Sequence, residues 1–490
     1  MKKMKIVAYL VLGMLTLVSL GAMYVNVNAE VENPELVLSF NGEKLEMQKS
    51  GEVNGYDVSQ MSLDTKNTIE IENLEDVDYI EIDDKKYYSG EKISYIPEKI
   101  DEYTKIKVSA KFNGDDKEYN YYINTLSSKF PEYEVGASSP YDGDYYMTTH
   151  NEEQNYVFVL NEDGSMKFYR ETESNPFDFK KTVTSDGKVR YTYLSTYTDK
   201  SKRISAVGYS PTYLEVLDEN YNELNQITME GYGDIVKGTE LENHDYIYID
   251  DNHYILSSYQ RQKAENIPEE LSDGNDPYIV DVVIHEIKDG KAVWQWKTSE
   301  HEELYAQSQE GNDYSTVSED TLDYTHFNSM TIDESDGNLL CSFRNLDEVL
   351  KIDRTTGEII WTLGGDSDDF SLTEEQKFSR QHNARITDDG YITLYDNGIK
   401  NENTRVVKLK LDEENMSVVD YKSYSLDDYY KYMGSVQEID SENEVFLIGT
   451  GGKTTDQDTV AIEKNFSTGE EYFRFGFKSG ESMYRCYKIV

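Results

Sequence analysis

Cysteine, proline, histidine and basic residues are all scarce in this chain. Its 490 residues hold 2 Cys, 8 Pro, 7 His, and 48 Lys or Arg against 95 Asp or Glu. Cys341 and Cys486 stand far apart and fit no metal or redox spacing, which excludes a disulfide scaffold and a thiolate metal centre. Two ordinary buried thiols are expected. The shortage of positive charge leaves a formal net charge of −47, which repels nucleic acid and anionic membrane surfaces. An anionic small substrate would therefore need a local cationic pocket. Long apolar runs are missing too, save one. Residues 6–25 form an apolar stretch after Lys2, Lys3 and Lys5 and before small residues at 27–29. Residues 1–29 read as an export signal or an uncleaved amino-terminal anchor, so the protein is expected to be secreted or held at the extracellular face of the membrane.

What the chain does have is tyrosine, 42 of them, and short alternating runs broken by Gly, Asn and Asp. Residues 30–128 read as a small all-β domain of sandwich type, with runs such as PELVLSF, TIEIENL and KIKVSAKF. That stretch has no histidine, so chemistry is not expected there. From residue 129 to 490 a repeat takes over. A turn-then-strand unit recurs in NEDGSMKFY, IKDGKAVWQW, DRTTGEIIWTL and NFSTGEEYFRF, among six copies, with a second hairpin between successive copies. Two hairpins per repeat make a four-stranded sheet, and six copies predict an all-β, six-bladed β-propeller.

Three of the seven histidines open the second hairpin at matching places: His244 in HDYIYIDDNHYIL, His326 in HFNSMTIDESDGNLL and His382 in HNARITDDGYITL. Equivalent positions of a propeller converge on its axis, so three imidazoles are expected in one pocket. Seven residues beyond each turn stand Tyr259, Arg344 and Asn397, with Thr450 following in the next repeat, as a second ring near the first. Imidazoles with a guanidinium suit an oxyanion such as sulfate or phosphate. Histidine also carries protons near neutral pH and acts as a nucleophile. Each residue has a plainer reading: His244 as a strand-start pair with Asp245, Arg344 as an ion-pair partner of Asp347 or Glu348. Zinc is the rival for three histidines, but an adjacent arginine repels a dication. His150, His253, His285 and His301 read as surface residues.

Residues 323–398 resemble the bacterial arylsulfate sulfotransferases, which need no nucleotide sulfate donor. The resemblance rests on DYTHFNSM, CSFRNLDEVLKIDRTTGEIIWTLGG and QHNARITDDGYITLYDNG, in that order. It implies that His382 becomes transiently sulfated, that His326 and Asn328 surround the sulfuryl group, that Arg344 binds its oxygens, and that His244 is a further pocket histidine. Tyr324 stands where tryptophan is common, Asn383 where aspartate is common, and a cysteine pair some relatives carry near the nucleophile is missing. The implied activity moves a sulfuryl group from an aryl sulfate donor to a phenolic acceptor, with no cofactor and no metal. No nucleic-acid partner is expected, and a homodimer is left open. The competing reading is a non-catalytic extracellular propeller that binds glycan or protein through its tyrosine-rich faces; a metal-dependent hydrolase is a weaker third.

Overall fold

Hairpins closed by Asp-Gly and Thr-Gly turns generate most of the architecture. In the turn after Ile352, the Asp353 carboxylate accepts the backbone N–H groups of Thr355 and Thr356 at 2.7 and 2.8 Å, and Gly357 takes φ +81°, which glycine alone adopts without strain. The computed structural model describes residues 33–50, 53–88, 90–150, 155–204, 206–316, 320–453 and 459–490. The export signal expected at residues 1–29 lies outside them. Among the described residues no helix is long and apolar enough to cross a membrane.

The chain is nearly all β and forms eight sheets in two compact units. One unit comprises the described residues up to Val58 with Thr68–Tyr95 and Lys105–Asn124. It carries a six-stranded sheet centred on the Lys105–Phe112 and Glu118–Asn124 hairpin, and most of a four-stranded one. The other unit takes Ser59–Asn67, Ile96–Thr104 and Thr125–Val490. Parts of the stretch read as a separate amino-terminal domain thus pack with the repeats, because Gln60–Ser62 pairs with Met166–Glu171 as an added edge strand.

Among the described residues this larger unit has six sheets that follow one another along the chain, antiparallel except where Thr321–Leu322 adds to Tyr278–Lys288 in parallel. Their second strands, Leu339–Phe343, Ile392–Asp396 and Val445–Gly449, are buried at every residue, whereas the outermost Glu223–Ile227 is exposed at four of its five positions. Burial on both faces explains why LLCSF and VFLIG read as unbroken apolar runs. The core is a series of layers between successive sheets. Phe179 and Tyr191 of the second sheet pack with Val157 and Phe168 of the first; Leu340 and Val349 of the fourth meet Leu394 and Val407 of the fifth; Val406 of the fifth meets Phe446 of the sixth. Tyr145 of the first sheet stacks on Phe473 of the sixth at 3.8 Å, so the circuit of layers closes. At about 1.5–3 kcal/mol per buried large side chain, these layers dominate the favourable terms.

Strand exchange also ties the ends together. Tyr133–Ala137 adds to Glu471–Phe477 at the outer edge of the sixth sheet, and the carboxy-terminal Tyr487–Ile489 supplies the inner strand of the first sheet against Asp144–Thr148. The inner strands are bulged near their starts, between Phe177 and Lys180, Phe327 and Ser329, and His382 and Arg385. Left-handed residues sit at or beside those bulges: Asp178 at φ 58°, His326 at 50° and Asn383 at 54°. Asp, Asn and His tolerate that region better than other side chains, and a bulge re-aims the residues around it.

Candidate active site

The inner strands carry polar residues in two layers. In one, a buried ion-pair network draws on five sheets. Asp245 holds Lys180 at 2.8 Å, Arg385 at 2.8 Å and Arg485 at 3.4 Å, and its second oxygen also accepts the Met330 N–H at 2.9 Å. Asp178 binds Lys180 at 2.6 Å, Arg485 at 3.1 Å and the Tyr487 hydroxyl at 2.7 Å. Three cations around Asp245 hold its carboxyl far below the usual carboxylate range despite complete burial.

The second layer begins one residue before Asp245. The rings of His244 and His326 lie 5.0 Å apart, edge to face, and Tyr259 lies 5.9 Å from His244 and 6.2 Å from His326. Arg344 is placed by its backbone N–H, which donates to the His326 carbonyl at 2.8 Å. His382 enters from the next sheet, and Asn328 bridges the two strands by donating its Nδ2–H to the Gln381 carbonyl at 2.7 Å. The buried Oδ1 of Asn328 has no partner.

Hydrogen bonds decide the tautomer of each ring. Nδ1–H of His244 donates to Glu242 at 2.5 Å, and Nδ1–H of His326 to Asp323 at 2.5 Å, since a carboxylate only accepts. Nδ1–H of His382 donates to the Arg380 carbonyl at 3.1 Å and to Oδ1 of Asn397 at 2.7 Å. The Asn397 amide is oriented by its own donations to the Tyr430 and Met433 carbonyls, both at 3.0 Å. In His382, backed only by a carbonyl and an amide oxygen, Nε2 therefore carries the lone pair; in His244 and His326 the carboxylate holds Nδ1–H and leaves Nε2 as the nitrogen that gains or loses a proton. Burial first, and then the Arg344 guanidinium, hold His382 well below the ordinary imidazole value; His326 is lowered chiefly by burial, against the opposing pull of Asp323. His382 is thus a neutral imidazole with a free basic nitrogen.

The predicted residues divide. His244, His326, His382, Arg344, Asn328, Tyr259 and Asn397 meet in this layer through the contacts above. Thr450 is fully buried, with its hydroxyl donated to the Thr459 carbonyl at 3.0 Å across its own hairpin. Tyr259 is also less free than expected, because its hydroxyl donates to the Phe327 carbonyl at 2.6 Å and Tyr209 stacks on its ring at 5.3 Å. Arg344 pairs with Glu310 at 3.0 Å, not with Asp347, which Arg380 holds at 2.6 Å, or with Glu348. The surface reading is corrected for His285, whereas His150, His253 and His301 are half-buried. His285 is completely buried against Gln295, His253 bonds Glu286 at 2.8 Å, and His301 stacks on Trp296 at 4.9 Å. His150 packs on Phe177 at 5.1 Å, and burial pushes it down to about 4. Cys341 and Cys486 are buried free thiols.

Sequence reasoning passed over several residues of this layer. Tyr484 lies 5.9 Å from His244, and Phe177 lies 5.5 Å from Tyr484, which extends an aromatic wall beside the imidazoles. A Cβ added at Gly208 would stand 3.5 Å from the His326 ring edge. Glu242 and Asp323 carried a faint signal, an acid two or three residues before each histidine; Tyr484 carried none. Among the described residues no cluster of three His, Cys, Asp or Glu side chains is disposed to hold a metal ion.

Buried imidazoles beside a guanidinium are chemically suited to binding an oxyanion. The Arylsulfotransferase (ASST) family model matches residues 119–488, three quarters of the chain, and the protein belongs to that family. Membership supports aryl sulfotransferase activity in general terms, on small aryl sulfates and phenols. No curated protein matches the chain in sequence. Among solved structures, similar chains include a protein of unknown function from Bacteroides caccae (11% identity, 71% of this chain and 99% of that one, TM-score 0.41). Others are the periplasmic gluconolactonase PpgL of Pseudomonas aeruginosa (11%, 71% and 99%, 0.40) and TolB of Acinetobacter baumannii (9%, 78% and 78%, 0.41).

Proposed function

We propose that this protein transfers a sulfuryl group from an aryl sulfate to a phenol through a sulfated His382. The observation that carries this reading is the orientation of that ring. Its Nδ1–H is held by Arg380 and Asn397, which leaves the Nε2 lone pair free beside Arg344 and two further imidazoles. In the first displacement Nε2 forms a bond to sulfur as the sulfur–aryl oxygen bond breaks, and the departing oxygen takes a proton from His326 or His244. In the second, that histidine takes the acceptor phenol's proton, the phenolic oxygen attacks sulfur, and the nitrogen–sulfur bond breaks. Arg344 meets the sulfuryl oxygens, and Asn328, whose Nδ2–H is committed to the Gln381 carbonyl, holds the His382 strand beside them. An unassisted phenol, ionising near pH 10, would supply little nucleophile at neutral pH.

The six successive sheets are read as the blades of a six-bladed propeller, and the residues before them as a sandwich domain. The convergence of five inner strands on one ion-pair network supports the first part. Export to the cell exterior, by the leader at residues 1–29, belongs to the same proposal. The deciding experiment mixes the protein with phenyl sulfate and weighs it intact. A gain of one sulfuryl group on the peptide holding His382, lost in His382→Ala, supports the reading. Transfer that survives in that variant removes the nucleophile; no transfer from any aryl sulfate favours the glycan- or protein-binding alternative.

A further inference from the structure

The three imidazoles differ in what stands behind them. Glu242 holds His244 twice, accepting its backbone N–H at 2.7 Å and its ring Nδ1–H at 2.5 Å. Asp323 does the same for His326, at 3.1 and 2.5 Å. The Glu242 carboxylate and the Asp323 backbone are themselves fixed. The other oxygen of Glu242 accepts the Asp245 N–H at 3.0 Å and the Ser257 hydroxyl at 2.7 Å. The Asp323 carbonyl accepts Nδ2–H of Asn345 at 2.7 Å, and Gly311 lies so close that a Cβ there would come within 2.4 Å of that carbonyl oxygen.

His382 has no such acid. The residue two positions before it is Arg380, whose guanidinium is turned to Asp347 and Glu310. Behind the ring stand only a carbonyl and the neutral amide of Asn397. A carboxylate on Nδ1–H stabilises the imidazolium that forms when Nε2 takes a proton, as in carboxylate–histidine pairs generally, whereas a neutral amide does so much less.

Building on the sulfuryl-transfer reading, we infer that Glu242 and Asp323 are positioning residues that make His244 and His326 the proton carriers, while Asn397 keeps His382 for attack. When the sulfur–aryl oxygen bond breaks, the Nε2–H bond of a carrier breaks with it. The proton goes to the aryl oxygen and the electron pair stays on nitrogen. The acceptor's proton later restores that bond. Nδ1–H never leaves its ring, and the carboxylates stay ionised. The carrier rings lie 5.0 Å apart, where two imidazoliums would repel, so one such proton serves the pair. His244 is faced by Glu242, Tyr259, Tyr484 and His326; His326 by Asp323, Tyr259, His244 and Arg344.

Donors of different leaving-group acidity test this. Para-nitrophenolate departs without a proton, and phenolate needs one. Asp323→Asn and Glu242→Gln should each lower kcat/KM for phenyl sulfate by about 10²-fold and for para-nitrophenyl sulfate by less than about 10-fold, as expected for loss of general acid help. The ratio of the two donors does not depend on how much enzyme is folded, so poor folding does not mask the result. Asp323→Glu should recover part of the ratio, and Asn397→Asp should raise the acid limb of His382 sulfation by about one pH unit. Equal losses for both donors, or none, overturn the inference while the sulfuryl-transfer reading stands. If the wild-type protein gains no sulfuryl group on His382 from either donor, both fall.

Discussion

Two adjacent layers of the same inner strands use charge in opposite ways. In the ion-pair layer, the carboxylates of Asp178 and Asp245 are surrounded by Lys180, Arg385 and Arg485. In the imidazole layer, one step along the strands, every ring is held by one nitrogen and left open at the other. The contrast shows how a buried polar centre becomes reactive. A network in which every cation meets a carboxylate fixes geometry and contributes no chemistry. A layer whose rings are each held through Nδ1 leaves the other ring nitrogen for a substrate to meet.

Substitutions can break this comparison, beginning with the largest expected effect. His382→Ala should abolish transfer, by at least about 10⁴-fold in kcat, while thermal unfolding changes little. Asp245→Asn should do the reverse. It leaves Arg385 without its carboxylate and Lys180 and Arg485 to Asp178 alone, and the loss should approach 3–5 kcal/mol, roughly that of breaking any buried pair, in urea unfolding. A stability loss as large in His382→Ala would erase the distinction between the layers. Arg344→Lys, which keeps charge and loses the fork, should lower kcat/KM by about 10²-fold. Tyr259→Phe removes a hydroxyl from the Phe327 carbonyl and should cost about 1–2 kcal/mol of stability, read by unfolding, with a smaller effect on transfer.

Acid sharpens the contrast. His326 and His382 are both lowered below the imidazole reference. In the window between the unfolded value, about 6.5, and those folded values, the unfolded chain binds protons that the folded one does not. Stability should therefore fall as pH drops through this window, while His382 stays neutral and nucleophilic. Single-turnover sulfation that persists below pH 6, alongside a falling melting temperature, is the expected pair of results; an acid limb at the ordinary histidine value contradicts it.

The repeat was legible because its signals are local. Alternation, Asp-Gly turns and unbroken apolar second strands are written in neighbouring residues, and the same periodicity put His244, His326 and His382 at equivalent starts. It served less well where a position is filled by a side chain committed elsewhere, as at Thr450, or where a histidine is buried for packing, as at His285. The ion-pair layer went unread because Asp178, Asp245, Arg385 and Arg485 come from four separate stretches of the chain.

By itself the sequence determined the residue types available for chemistry, the strand pattern that carries them and the strong negative charge around them, since each depends only on composition or near neighbours. Tertiary structure alone decided which partner stands behind each imidazole, that Glu310 holds Arg344, and that the last strand completes the first sheet. Those pairings join residues from two to more than three hundred positions apart, and only the packing of sheet on sheet selects one acceptor over the many others the chain offers.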